Sequence, residues 1–148
     1  MSNSIELDNA KKVRVFFYGS FINRDVLARA DYHPDKMEVA RLDGFDIATR
    51  PSATLIPSDR DCVYGVLTMA SHAELERLYG EDWVRAYQPE AVVVTMQDSA
   101  LHPALCYIAS ATTGEAPFEN YVDHIIEPAR ELGFPPWYIE RLEGLKRE

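Results

Sequence analysis

The first stretch whose residue types indicate chemistry is the end of an apolar run at residues 13–17. The letters VRVFF predict a buried β-strand, and Tyr18, Gly19 and Ser20 interrupt it before a polar helix start. Gly19 either provides an unusual backbone angle in a plain turn or lets a ligand approach the main chain. In the second interpretation, the N–H groups of Gly19, Ser20 and Phe21 form a cradle that holds a small carboxylate without a lysine.

Other common catalytic patterns are missing from the sequence. No metal-binding spacing links the four histidines, which are His33, His72, His102 and His124. Ser20 stands outside a G-x-S-x-G motif, so a serine hydrolase is only an alternative, and no Walker-type loop follows the strand. We therefore predict neither a metal nor a cofactor.

Short strands and short helices must position this turn. Strand-like segments lie at residues 13–19, 37–50 with a bend or bulge at Gly44, 61–69, 89–96 and 104–110, and a proline-bounded apolar segment lies at 51–58. Helices are predicted at 23–30, 71–80, 118–133 and 135–145. Asn23 caps the first, and the second begins with a Ser71/Glu74 capping box and ends at Gly80. The third is expected to kink at Pro128 and to end at Gly133. Strands and helices do not alternate regularly. This favours an α+β fold, a mixed, partly closed β-sheet or barrel with short helices packed around it.

Composition limits the classes of partner. The 148 residues suit one domain, predicted at 13–148 after a flexible lead-in at 1–12. A net charge of −9 disfavours nucleic acids and anionic membranes. No signal pattern or membrane-spanning run is present, so we expect a cytoplasmic protein. Cys62 and Cys106 are interpreted as small core residues in a reducing compartment.

Several stretches occur in an order that matches one protein family. They are VFFYGSF, ATLIPS followed by VYGVLTM, ELERLYGEDW, YQPEAVVV and ARELGFPPWYIERL. In that order they resemble five motifs of the gamma-glutamylcyclotransferase (AIG2-like) family. The first three are the strand end Y-G-[ST]-[NL], the segment A-N-[IL]-x-P followed by V-x-G-V-[LV], and L-D-x-x-E-G. The last two are Y-x-x-x-x-V-x-V and the C-terminal G-A-x-E-x-G-L-P-x-x-Y-x-x-x-L. The resemblance covers roughly residues 13–146.

This resemblance implies a specific reaction. The free α-amine of a gamma-glutamyl compound attacks its own γ-amide carbonyl, which gives 5-oxoproline and releases an amine or amino acid. The substrate implied is a small gamma-glutamyl amine or dipeptide, glutathione among them. The sequence fixes neither that choice nor the oligomeric state.

The family's general acid/base is the glutamate of L-D-x-x-E-G, and the chain departs from that motif. Tyr79 and Trp83 replace the aspartate and the glycine, Asp82 falls on the glutamate, and Glu81 lies one residue earlier. The resemblance implies that Glu81 or Asp82 is catalytic, and the longer reach of Glu81 favours it. The substrate-binding residues implied are Tyr18, Gly19, Ser20, Phe21, Tyr87 and Tyr107.

Two interpretations compete with the cyclotransferase, and one of them is the serine hydrolase considered above. The departure at the catalytic loop favours a catalytically silent metabolite-binding or regulatory module on the same fold. Tyr121 also fits a tyrosine-lined pocket, although aromatic residues at helical spacing more often belong to the core. Tyr138 is interpreted as packing for the last helix.

Overall fold

The computed structural model of the protein describes residues 11–49, 52–80, 87–109 and 120–146. These residues form five β-strands, four α-helices and one 3-10 turn. In chain order they are β1 (Lys12–Phe17), the 3-10 turn (Ser20–Ile22), α1 (Arg24–Arg29), β2 (Glu38–Thr49), β3 (Ala53–Ser71), α2 (His72–Tyr79), β4 (Tyr87–Met96), β5 (Leu101–Ala109), α3 (Asp123–Leu132) and α4 (Pro136–Leu145). Residues 1–10 of the predicted lead-in lie outside the described ranges.

The strands close into a barrel in the order β1-β3-β2-β4-β5. Four of the neighbouring pairs are antiparallel, and β1 and β5 close the ring as a parallel pair with Val15 opposite Leu105. The predicted mixed barrel with short helices around it is therefore confirmed. Closure leaves the end of β1 beside the start of β3, which is where the candidate site lies.

β3 corrects the predicted strand boundaries. Residues 51–58 and 61–69 were predicted as separate segments, but Ala53–Ser71 is one strand, and its residues 53–57 and 62–67 pair with β2. The polar residues 58–61 do not end the strand, because they form a bulge opposite Gly44, where the register shifts. Gly44 accommodates that shift with a φ of +91°, and Ser58 hydrogen-bonds Asp61 within the bulge.

Local sequence signals set most helix ends. The Asn23 side chain accepts the Asp25 N–H at 2.9 Å, and both hydrogen bonds of the Ser71/Glu74 capping box form. The third helix is shorter than predicted. It begins at Asp123 because Asn120 has a left-handed φ of +61° that a continuous helix does not allow.

A single core fills the barrel and the space under the helices. Val15, Phe16, Val66 and Cys106 are inaccessible to solvent, and Tyr138 is buried as predicted. Cys62 is only half-buried, because it lies at the bulge rather than inside the barrel. The interpretation of Cys62 as a core residue is therefore wrong. None of the helices in the described ranges is long and apolar enough to cross a membrane.

Replacing Gly65 with alanine tests the packing of β3 on β1. The added Cβ would lie 2.1 Å from the carbonyl oxygen of Phe17, so we expect Gly65→Ala to lower the free energy of unfolding by about 3 kcal/mol. Gly144→Ala is the control, because its Cβ meets nothing closer than 4.0 Å and alanine favours a helix. Equal stability of the two variants in urea titrations would contradict this packing.

Candidate active site

The turn after β1 is held by a close approach of two backbones. Gly19 has a φ of −110°, so its conformation does not need the left-handed freedom of glycine. A Cβ on Gly19 would instead lie 2.7 Å from the Cβ of Ala53, at the start of β3. The 3-10 turn then begins, with the Ile22 N–H donating to the Gly19 carbonyl at 3.1 Å. Glycine is required here because the ends of two strands touch.

The hydroxyl of Tyr121 joins the turn to β3. Its oxygen accepts the Ala53 N–H at 2.9 Å, and it is also hydrogen-bonded by the backbone and side chain of Ser20. The Ser20 N–H, which the sequence assigned to an anion cradle, therefore already has a neutral oxygen as its acceptor. The Ser20 hydroxyl is likewise engaged with a phenol.

A small cavity opens against this turn. Its volume of about 30 Å³ holds about two water molecules. The lining residues are Phe17, Tyr18, Gly19, Ser20, Phe21, Ala53, Tyr79, Tyr87 and Tyr121. A ligand of glutamyl size is larger than this space, so it either extends out of the cavity, which is open to solvent, or displaces lining side chains.

The predicted substrate-binding residues divide into two groups. Tyr18, Gly19, Ser20, Phe21 and Tyr87 all line the cavity. Tyr107, the sixth, does not line it. Its ring stacks behind that of Tyr79, with centroids 3.9 Å apart and planes 10° from parallel.

Four tyrosines line the cavity and form what we call its tyrosine wall: Tyr18, Tyr79, Tyr87 and Tyr121. Most of their hydroxyl groups make hydrogen bonds that hold this end of the barrel together. Tyr18 donates to the Tyr107 carbonyl at 2.7 Å, which joins β1 to β5. Tyr87 hydrogen-bonds Ser52 at 2.9 Å and donates to the carbonyl of Ala53, which joins β4 to the start of β3. These hydrogen bonds hold the tyrosine side chains in place by joining strands that are far apart in the sequence.

Burial keeps these phenols neutral. It raises the pKa of Tyr18 and Tyr79 well above the usual value of 10, and it raises the pKa of Tyr121 against the opposing hydrogen bonds from Ala53 and Ser20. None of the nine lining residues is a carboxylate, an imidazole or a cation. The described wall thus supplies neutral hydrogen-bonding groups and no general base.

The predicted acid/base pair, Glu81 and Asp82, lies outside the described residues. The chain that contains them is joined covalently to α2 at Gly80 and to β4 at Tyr87. Tyr79 and Tyr87 both line the cavity, with ring centroids 6.1 Å apart. The described residues on either side of positions 81–86 therefore belong to elements that line the cavity.

Metal ligation finds no support among the described residues, where no group of three or more His, Cys, Asp or Glu side chains converges. His33 contacts Asp31 at 3.3 Å on the exposed surface.

Two features of the wall were missed by the sequence analysis. Ala53 was assigned to a separate apolar segment, so its approach to Gly19 was not foreseen. Tyr79 was considered as a replacement within a motif and as a neighbour that desolvates the acid/base carboxylate, but not as a substrate-binding residue. Its position at the end of an amphipathic helix, next to the motif's acidic residues, is the signal that pointed to the wall.

A family model decides the relationship of this chain to known proteins. The model of the AIG2-like family matches residues 62–142, which is more than half of the chain. This protein belongs to the AIG2-like family. The resemblance that the sequence motifs carried is thereby confirmed. Among curated proteins, none matches the sequence significantly.

Solved structures of similar fold support the same conclusion about the architecture of this AIG2-like protein. The uncharacterized protein loc79017 from Homo sapiens has a TM-score of 0.79 at 23% identity, covering 89% of this chain and 86% of that one. A gamma-glutamyl cyclotransferase has a TM-score of 0.73 at 23% identity, covering 90% and 87%. A yeast gamma-glutamyl cyclotransferase specific to glutathione has a TM-score of 0.63 at 13% identity, covering 92% and 96%. At these identities the likeness establishes the fold.

The buried tyrosines predict a loss of stability at alkaline pH. Above about pH 10 the unfolded chain releases phenolic protons that Tyr18, Tyr79 and Tyr121 retain in the folded protein, because burial raises their pKa. Each such group lowers the free energy of unfolding by up to about 1.4 kcal/mol per pH unit in that range. Urea titrations between about pH 9 and 12 measure the slope. Tyrosinate absorbance that shows all eight tyrosines ionising together near pH 10 in the folded protein would contradict this assignment.

Proposed function

We propose that this protein is a gamma-glutamylcyclotransferase-like enzyme that converts a small gamma-glutamyl amine or dipeptide into 5-oxoproline and a free amine. Its membership of the AIG2-like family and a fold shared with gamma-glutamyl cyclotransferases support this. The observation that carries the proposal is the cavity at the Gly19 turn, which is lined by Gly19, Ser20 and Phe21 of the turn and by four tyrosines.

The reaction needs no nucleophile from the protein. The α-amine of the substrate attacks the γ-carbonyl carbon, the new C–N bond closes a five-membered ring, and the bond to the leaving nitrogen breaks. Intramolecular attack reaches effective molarities of about 10⁵–10⁸ M when the geometry is enforced. The absence of a Ser or Cys nucleophile pattern agrees with this chemistry.

One carboxylate suffices for proton transfer. It takes a proton from the α-ammonium group, whose pKa is near 8, and returns one to the leaving nitrogen. The second proton that the ring nitrogen loses after attack passes through the same carboxylate to the released amine, which departs as an ammonium ion. We assign this role to Glu81 or Asp82, with Glu81 favoured by its length. Efficient transfer requires a carboxyl pKa of about 6–7, and an aromatic wall of low polarity shifts a carboxyl pKa in that direction.

Main-chain N–H groups of the turn are assigned to the substrate's negatively charged oxygens. In the described structure Tyr121 holds one of these donors, that of Ser20. Substrate binding therefore shares or displaces the Tyr121 oxygen. The small volume of the cavity agrees with such a rearrangement.

A silent binding module is the second candidate function. The observation that favours it is the replacement of the motif's aspartate and glycine by Tyr79 and Trp83. A module of this kind binds 5-oxoproline or a gamma-glutamyl compound without converting it.

Turnover distinguishes these functions. The purified protein is incubated with glutathione, a gamma-glutamyl dipeptide and a gamma-glutamyl amine, and the products are separated by chromatography. A cyclotransferase releases 5-oxoproline, a Ser20-dependent hydrolase releases glutamate, and a silent module releases neither. Absence of 5-oxoproline with every donor, at concentrations where the donors bind, would overturn the proposed activity.

Two substitutions identify the residue that acts as the general acid and base. We expect Glu81→Gln or Asp82→Asn to lower kcat by about 10²- to 10⁴-fold, because the neutral amide cannot carry the proton. Glu131→Gln and Asp59→Asn are the matched controls, since both carboxylates are exposed and neither lines the cavity. Full activity in both Glu81→Gln and Asp82→Asn would remove this pair from the mechanism.

A further inference from the structure

Tyr79 occupies a distinctive position in the wall. It is the last residue of α2, and it stands where the family motif has an aspartate. Its side chain lines the cavity, although an aspartate at this position would be much shorter. The substitution therefore brings an additional aromatic ring and a hydroxyl group to the site.

The hydroxyl of Tyr79 differs from those of the other tyrosines that line the cavity. Tyr18, Tyr87 and Tyr121 all have hydrogen-bond partners within the fold. Tyr79 has none among the described residues, whose hydrogen bonds include no partner for its oxygen. The Tyr79 oxygen is not fully buried either. Among the described residues, the one fully buried side-chain nitrogen or oxygen without a hydrogen-bond partner is the hydroxyl of Tyr138.

Aromatic contacts hold the Tyr79 ring in place. One face stacks on Tyr107 with centroids 3.9 Å apart, and the edge of Phe21 approaches at 5.2 Å with the planes 80° apart. Tyr87 lies 6.1 Å away on the cavity side. A ring fixed by contacts of this kind presents its hydroxyl in one direction, so little conformational entropy is lost when a ligand binds.

The chemistry of the wall indicates what such a donor would bind. An ionised carboxylate has about four acceptor positions, and the lining residues include no lysine or arginine to fill them. The turn alone supplies too few hydrogen-bond donors for a carboxylate, because the Ser20 N–H is already hydrogen-bonded to Tyr121. Burial raises the pKa of Tyr79 well above 10, which keeps the phenol protonated and able to donate.

We propose that Tyr79 is a binding residue whose hydroxyl donates a hydrogen bond to the α-carboxylate of the ligand. That group is common to a gamma-glutamyl substrate and to 5-oxoproline, so the inference rests on the proposed function. Tyr79 adds a side-chain donor next to the Gly19 turn, whose residue Phe21 its ring contacts. The aromatic substitution in the family motif thus serves recognition of the acid.

The test measures binding of 5-oxoproline and of its uncharged amide, 5-oxoprolinamide, by calorimetry. Tyr79→Phe keeps the stacked ring and removes only the hydroxyl. We expect it to weaken 5-oxoproline binding by about 10- to 100-fold, as is typical for loss of a hydrogen bond to a charged group, and to change binding of the amide much less. Tyr138→Phe is the control, because it removes the same hydroxyl from a buried tyrosine in α4 that does not line the cavity.

Kinetics with a converted donor give a second readout. The carboxylate takes no part in bond making, so its contact is equal in the ground and transition states. We therefore expect Tyr79→Phe to raise KM by about the same factor as the loss of affinity, with kcat within about threefold of the wild type.

The outcomes separate the two proposals. Equal 5-oxoproline affinity of Tyr79→Phe and the wild type, with wild-type turnover present, would overturn the role of Tyr79 and leave the proposed function standing. A wild-type protein that neither binds 5-oxoproline nor turns over any donor would overturn the proposed function, and the role of Tyr79 with it.

Discussion

The contact between Gly19 and Ala53 is the constraint on which the site depends. It brings the end of β1 against the start of β3, and a side chain at Gly19 would prevent it, since its Cβ would lie 2.7 Å from that of Ala53. The closeness lets one hydroxyl, that of Tyr121, accept hydrogen bonds from both Ser20 and Ala53. The cavity, the tyrosine wall and the proposed binding of a carboxylate all follow from this meeting of two strand ends.

Structural features that are encoded by a few neighbouring residues could be predicted from the sequence. The Asn23 cap, the capping box of Ser71 and Glu74, and the bulge at Gly44 each depend on a few neighbouring residues. The length of β3 was missed for the opposite reason. Its continuity through the polar residues 58–61 depends on the pairing of the flanking residues with β2, and nothing within residues 58–61 indicates a partner strand.

For the candidate site too, the locally encoded part could be predicted and the part that depends on distant residues could not. The turn at Gly19 could be predicted because a strand, a glycine and a helix start are adjacent in the sequence. The tyrosine wall could not, because its hydrogen bonds join positions such as Tyr18 with residue 107 and Ala53 with Tyr121, which only the closed barrel brings together. The roles of Glu81 and Asp82 rest on the family resemblance, since those residues lie outside the described ranges.

The most direct test of the proposed site is a titration of the ¹⁵N-labelled protein with 5-oxoproline, followed by NMR. If the Gly19 turn binds the acid, the amide signals of Gly19, Ser20 and Ala53 shift together and saturate at one dissociation constant. A contradictory result is that these signals stay in place while saturable shifts appear elsewhere, for example in the surface groove lined by Lys12, Arg14 and Lys36.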